Sequence, residues 1–180
     1  IIWRDLNEGA DVTASLRHLS YLADAAINAA LDYADGLLRA RHGAPRAEDG
    51  SPCGPGVIAM GKLGGHELNF SSDVDLVFVF SGAGETDGAR TLSNEEYFRL
   101  LAQRVIDLLS RNTAAGFVYR VDVRLRPFGS AGPLADWSLE YAAGPFDPAF
   151  ALSPGDAGRW SGVLATLTVG FSLPPAVAVT

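Results

Sequence analysis

The sequence predicts an α+β fold. Two segments, about 11–41 and from Ser93 onward, carry apolar residues at helical spacing. Three others, 57–60, 73–80 and 117–126, are rich in β-branched and aromatic residues. Stretches dense in Gly and Pro separate them.

Along the chain, Leu16, Leu19, Ala23, Ala26, Ile27, Ala30, Leu31, Ala34 and Leu38 recur at three and four, while Asp24, Asn28, Asp32, Asp35 and Arg39 mostly take the other positions. This is a packing helix with one solvated face, and His18 and His42 read as surface or helix-end residues. His42 to Gly56 holds three prolines and four glycines and reads as a linker. Val57-Ile58-Ala59-Met60 reads as a short buried strand, followed by Gly61-Lys62-Leu63-Gly64-Gly65 and a loop or helical turn at 66–70. Asp73 to Phe80 is a strong strand, and 81–90 a Gly-rich turn region. Ser93-Asn94-Glu95-Glu96 fits a capping box ahead of a second helix. Phe117 to Arg126 alternates charged and apolar residues, as expected of a strand with one face in the core. The division that follows is an N-terminal helical segment (1–42), a Pro/Gly-rich linker (43–56), a core (57–134) and a low-charge, divergent tail (135–180), disordered or aberrant.

The net charge of −7 over 180 residues argues against a general nucleic-acid binder. It leaves room for a nucleotide site, because a small anion needs only a few local cations or a metal. The single cysteine, Cys53, allows no internal disulfide and lies in turn sequence, so a cytoplasmic setting is expected. The first residues lack the basic and apolar regions of a signal peptide. Residues 160–180 are uncharged, yet Gly162, Gly170, Pro174 and Pro175 interrupt them, so no membrane span is expected.

The chemistry concentrates on acids. Asp73 and Asp75 are two apart on a strand, on one face, with Cα atoms roughly 6.5–7 Å apart. Asp122 offers a third carboxylate from another strand. Carboxylates held together repel unless a cation lies between them, and oxygen ligands suit Mg²⁺ or Mn²⁺. Three can hold two ions roughly 3.5–4 Å apart, as in phosphoryl chemistry. The plainer reading of an Asp-x-Asp is a solvated strand face. Against it, Val77 and Val79 continue the acidic face as apolar residues, and charge on such a strand is expensive without a partner. Gly61, Gly64 and Gly65 would let backbone amides approach an anion, Ser71 and Ser72 offer hydroxyls, and Lys62 offers a point charge. The segment is no P-loop, and a tight turn would explain it equally. Arg124 and Arg126 share a face with Asp122 if the strand is regular; phosphate binding and pairing with the neighbouring acids both stay open. His66 and Glu67 are near in sequence only and receive no role.

Met60-Gly61-Lys62-Leu63-Gly64-Gly65-His66-Glu67-Leu68-Asn69-Phe70-Ser71-Ser72-Asp73-Val74-Asp75-Leu76 resembles the core motif of the glutamine synthetase adenylyltransferase family. Gly116-Phe117-Val118-Tyr119-Arg120-Val121-Asp122-Val123-Arg124-Leu125-Arg126-Pro127 resembles its second motif, and Trp3-Arg4-Asp5-Leu6 the segment ahead of the domain. The resemblance runs from Ile1 to Leu134. It implies a DNA-polymerase-β-like nucleotidyltransferase fold, a mixed sheet with flanking helices preceded by a long helix. It implies Asp73, Asp75 and Asp122 as catalytic and metal-binding acids for Mg²⁺ or Mn²⁺, and Gly64, Gly65, Ser71 and Ser72 as the phosphate-contacting segment. The family enzyme is bifunctional: one half transfers AMP from ATP to a tyrosine of glutamine synthetase, and the other removes it by phosphorolysis, releasing ADP. The transferring half usually has Glu before the Val-Asp pair and Ser after the Pro. Arg120 and Phe128 depart from that and resemble the N-terminal, adenylyl-removing half. The partners so implied are glutamine synthetase, ATP or ADP, phosphate, and a PII-type signalling protein acting through other regions. From Ala135 the sequence departs from the family. A reading-frame change or divergence in a fragment is expected there, and a non-catalytic or regulatory module that binds glutamine synthetase or a nitrogen-signalling protein is the alternative.

Overall fold

The computed structural model describes residues 11–126 and 129–136, together with the backbone of 166–168. Trp3 to Leu6, Pro127, Phe128 and most of the tail lie outside the described residues.

Helix α1, Val12–His42, starts where the carboxylate of Asp11 accepts the Thr13 N–H at 3.2 Å. It ends at Gly43, whose φ of 81° lets its N–H turn back to the Arg39 carbonyl. Leu19, Ala23, Ile27, Ala30, Leu31, Ala34 and Leu38 are buried along one side, as the spacing predicts. Helix α3, Asn94–Ser110, packs its own stripe of Tyr97, Phe98, Leu101, Ala102, Val105 and Leu109 against α1 and the sheet. Ser93 Oγ caps α3 by accepting the Glu96 N–H. The reciprocal half of the capping box is replaced: the Glu96 carboxylate takes a two-pronged bond from Arg99.

The main sheet is mixed. Strand β2, Pro55–Met60, pairs antiparallel with β3, Val74–Phe80. Two short strands line the other edge of β3, both parallel to it. They are β5, Val121–Asp122, beside its start, and β6, Ala135–Asp136, beside its end. Strand β7, Thr166–Thr168, pairs antiparallel with β2, so part of the divergent tail joins the sheet. Val74, Leu76, Phe78 and Phe80 face the helices, with Phe80 stacked on Phe98 at 4.7 Å between centroids. Asp75 and Val77 look the other way; Val77 is buried there, as expected.

Two expectations need correction. The stretch 43–56 is not simply a linker. Pro45–Ala47 forms β1, which pairs antiparallel with β4, Gly84–Thr86. The glycines permit close backbone contact: a Cβ on Gly84 would lie 2.1 Å from the Arg46 carbonyl oxygen, and one on Gly43 2.2 Å from the Gly88 nitrogen. Second, the strand expected over 117–126 contracts to Val121–Asp122. The chain turns away from the sheet after Val123, and β6 takes the same edge of β3 from Phe78 onward. Gly61–Gly64 is one turn of helix, α2, in keeping with the tight turn left open by the sequence.

Candidate active site

The parallel register of β3 and β5 sets Val74 beside Val121 and Asp75 beside Asp122. Neighbouring strands are about 4.8 Å apart, so these two carboxylates leave adjacent backbone positions. Asp73 precedes β3 by one residue and is two before Asp75. The expected acids are therefore brought to one end of the sheet.

Each outer carboxylate is engaged by an arginine. Arg120 pairs with Asp73, donates to the Ser71 carbonyl at 2.9 Å, and accepts the Val74 N–H on its own carbonyl at 2.9 Å. Arg124 grips Asp122 with its guanidinium, and its backbone N–H adds a bond of 2.8 Å to the same carboxylate. These bonds hold the Asp122 carboxyl below the usual carboxylate range. Asp75 has no ion pair of its own among the described residues. Burial first, then the charges of Asp122 and Asp73, push its carboxyl up, against the pull of Arg124. As the side chains stand, no group of three or more carboxylate, histidine or cysteine side chains among the described residues is gathered to hold one ion. The donor set nevertheless suits a divalent cation in chemistry and backbone position. It is all oxygen, and its middle member is short of positive charge.

Backbone fits closely around Asp75. Gly61 has φ 57°, and a Cβ there would lie 2.7 Å from Asp75 Oδ2. The close approach expected of Gly61 is thus to this carboxylate. Asn69 organises the neighbouring loop: its Oδ1 accepts from Ser72 Oγ at 2.7 Å and from the Ser71 N–H at 3.3 Å, while Lys62 Nζ donates to Ser72 Oγ at 3.3 Å. Helix α1 holds the loop from beneath. Ser20 Oγ, fully buried, accepts the Leu68 N–H, and Tyr21 meets His66 edge-on at 5.7 Å. His66 itself takes a left-handed φ of 55°.

Of the other residues singled out, Lys62 and Ser72 are joined through Asn69, and Arg124 is paired with Asp122. Arg126 does not join: its guanidinium turns to the carbonyls of Val123, at 2.7 Å, and Gly132, at 3.4 Å, because the chain bends after Val123. Gly65 gives its N–H to the Gly61 carbonyl, and Gly64 is buried within α2. Sequence reasoning passed over Asn69 and Arg120 as site residues. Asn69 had a signal, since an Asn in a loop commonly accepts the N–H two residues on, here that of Ser71 across Phe70. Arg120 had one only in its alternation with Asp122 and Arg124.

A family model described as glutamate-ammonia ligase adenylyltransferase matches residues 1–141. Over 134 residues the chain is 54% identical to a bifunctional glutamine synthetase adenylyltransferase/adenylyl-removing enzyme of Thioalkalivibrio sulfidiphilus, covering 74% of this chain and 14% of that relative. Relatives of the same description from Xanthomonas campestris and Shewanella loihica are 50% and 47% identical over 135 residues each, covering 75% and 74% of this chain and 14% of each relative. The chain therefore spans about 14% of the length of the curated relatives it matches.

Proposed function

Given that this chain belongs to the glutamate-ammonia ligase adenylyltransferase family, we propose that it carries a metal-dependent nucleotidyltransferase-type site that removes AMP from a tyrosine of glutamine synthetase. The single observation that supports this best is the pairing of Asp75 with Asp122 across parallel strands, with Asp73 two residues away. Adjacent carboxylates of which one is partly buried and unpaired make a poor structural element and a good cation site.

On this reading, inorganic phosphate attacks the phosphorus of the tyrosine-bound AMP. A new P–O bond forms, the bond to the tyrosyl oxygen breaks, and the phenol regains a proton as ADP leaves. Asp73, Asp75 and Asp122 would hold Mg²⁺ or Mn²⁺, which would offset charge gathering on the phosphoryl oxygens. Lys62 and Ser72, linked to Asn69, present a cation and a hydroxyl beside the acids. The chain's work is positioning and electrostatics. The opposite direction, AMP transfer from ATP, is disfavoured by Arg120. A glutamate at that position, the wording resembling the transferring half, would face Asp73 with like charge where Arg120 now pairs with it. Glutamine synthetase as partner, a PII-type regulator, the polymerase-β-like fold and a cytoplasmic setting belong to the same proposal. No helix among the described residues is long and apolar enough to cross a membrane.

Thermal unfolding of the chain with Mg²⁺ plus ADP, beside an Asp73→Asn/Asp75→Asn variant, tests the site. Ligand at about 100 times its dissociation constant adds roughly 2.7 kcal/mol to stability. A shift in the parent that the variant lacks is expected, followed by ADP release from adenylylated glutamine synthetase and phosphate. A folded parent that shows no shift sinks the reading and favours the non-catalytic module.

A further inference from the structure

The two arginines at the site are on the wrong partners for a phosphate-handling enzyme. Arg120 and Arg124 are 61% and 81% exposed in their side chains, yet each is turned inward onto a carboxylate that a cation would need. Asp75, between those carboxylates, has no ion pair of its own among the described residues. The asymmetry has a simple electrostatic origin. Three carboxylates crowd one end of a sheet, and two guanidinium groups from the same chain segment supply positive charge to the outer two.

Both arginines grow from the segment that carries Asp122, at positions 120 and 124 around it. Arg124 is anchored through its own N–H to Asp122, so its side chain can leave the carboxylate while its backbone stays. Arg120 is anchored in the same way by its carbonyl, which accepts the Val74 N–H. The backbone bonds of both residues are made without their guanidinium groups, although Arg120 also donates to the Ser71 carbonyl. The Arg120–Asp73 pair is open to water on both partners and therefore weak, while Arg124 reaches the more sheltered Asp122 from the solvent side. A divalent ion between carboxylates competes better than a singly charged guanidinium.

We propose that Arg120 and Arg124 are exchangeable counter-ions. They hold Asp73 and Asp122 in the metal-free chain, are displaced when a divalent cation binds, and then bind phosphate oxygens of the nucleotide. The inference rests on the metal-binding reading of the site and adds to it the residues that recognise the anionic substrate. Guanidinium forks match phosphate geometry, and their release is timed to the arrival of the cation that brings a nucleotide. One pair of side chains thereby offsets the repulsion among the acids and later holds substrate.

The test is direct binding, with no turnover. Mn²⁺ alone is titrated into the chain and its Arg120→Gln and Arg124→Gln variants, with free Mn²⁺ followed by electron paramagnetic resonance. ADP is then titrated by calorimetry at saturating Mg²⁺. Removal of a competing guanidinium is expected to tighten Mn²⁺ binding about 3- to 5-fold, the scale of an exposed pair. The same variants are expected to bind ADP about 10-fold more weakly. Arg124→Lys separates fork from charge: it should recover less than half of the ADP affinity, since an ammonium cannot make the two-pronged contact. Mn²⁺ affinity that is unchanged or weaker in both Gln variants overturns the exchange. Tighter Mn²⁺ binding with ADP affinity unchanged overturns the handover, and so does a Lys variant equal to the parent. If the folded parent binds no Mn²⁺, the metal reading and this inference fall together; if it binds Mn²⁺ and the variants match it, only this inference falls.

Discussion

At Gly61 two constraints meet in one residue. Its backbone is left-handed, and the space where a side chain would begin holds the Asp75 carboxylate. Gly61→Ala is expected to cost about 1–2 kcal/mol for the backbone alone, and to push Asp75 from its place. A fall in Tm together with weaker Mn²⁺ binding would show both effects; an unchanged Tm would contradict the left-handed conformation. Asp75 is the opposite kind of residue, one the fold tolerates at a loss. Burial and its acidic neighbours disfavour its charge, so Asp75→Asn is expected to raise Tm slightly in metal-free buffer. The same change should lower turnover by at least about 100-fold, the scale of a lost electrostatic contact at a reacting centre. A variant that is less stable and still active would refute the assignment. These two residues also mark what was legible. The carboxylates could be read because charge on an otherwise apolar strand demands a partner. The use of Gly61 could not, because nothing local says which anion its backbone approaches.

Between elements, the tie that matters most joins α1 to α3. Tyr97, fully buried, donates its hydroxyl to Asp35 Oδ1 at 2.8 Å, and Arg39 pairs with the same carboxylate one turn along α1. Tyr97→Phe keeps the ring packing and removes this bond to a charged group, so a loss of about 1.5–3 kcal/mol is expected in denaturant unfolding. The β1–β4 ribbon has its own latch. The Asp87 carboxylate accepts the Ala44 N–H at 2.7 Å and Arg46 Nε at 3.0 Å, and these bonds hold its carboxyl below the usual range. A depressed carboxyl stabilises the fold above its unfolded pKa and ceases to do so as pH falls through the folded value. Asp87→Asn should therefore lower Tm at neutral pH by roughly 1–2 °C, with the difference shrinking as pH falls below the usual carboxylate range. A difference that persists in acid would assign the effect to something other than the charge. The helices were readable because their apolar period recurs over many turns. The ribbon was not, since Pro and Gly mark a flexible connection and a tight backbone crossing alike. The 117–126 strand misled in the reverse direction: its alternation is real, but how far a strand extends depends on where the chain turns away from the sheet.

For the molecule as a whole, β3 is the centre on which everything else is arranged, with β2 on one side and β5 and β6 in series on the other. Among the described residues, amide exchange should be slowest in β3 and in the middle of α1 and α3, and fast from Val123 to Arg126 and from Gly129 to Gly132, where turns replace ladders. Fast exchange in β3 would mean the sheet is not the stable unit. The order of elements and the α+β class could be inferred from local pattern. The parallel pairing that sets Asp122 beside Asp75 could not, because register across 47 residues of sequence has no local signature.

The span between Asp35 and Tyr97 also has a meaning for biosynthesis. The two partners are 62 residues apart in the chain. At ribosomal rates of about 5–20 residues per second, α1 is complete roughly 3–12 s before its partner emerges. Through that interval a 31-residue amphipathic helix stands outside the tunnel with its apolar side bare and a carboxylate set in the middle of it. The newborn domain is thus most in need of a chaperone early, before any of its chemistry has been made.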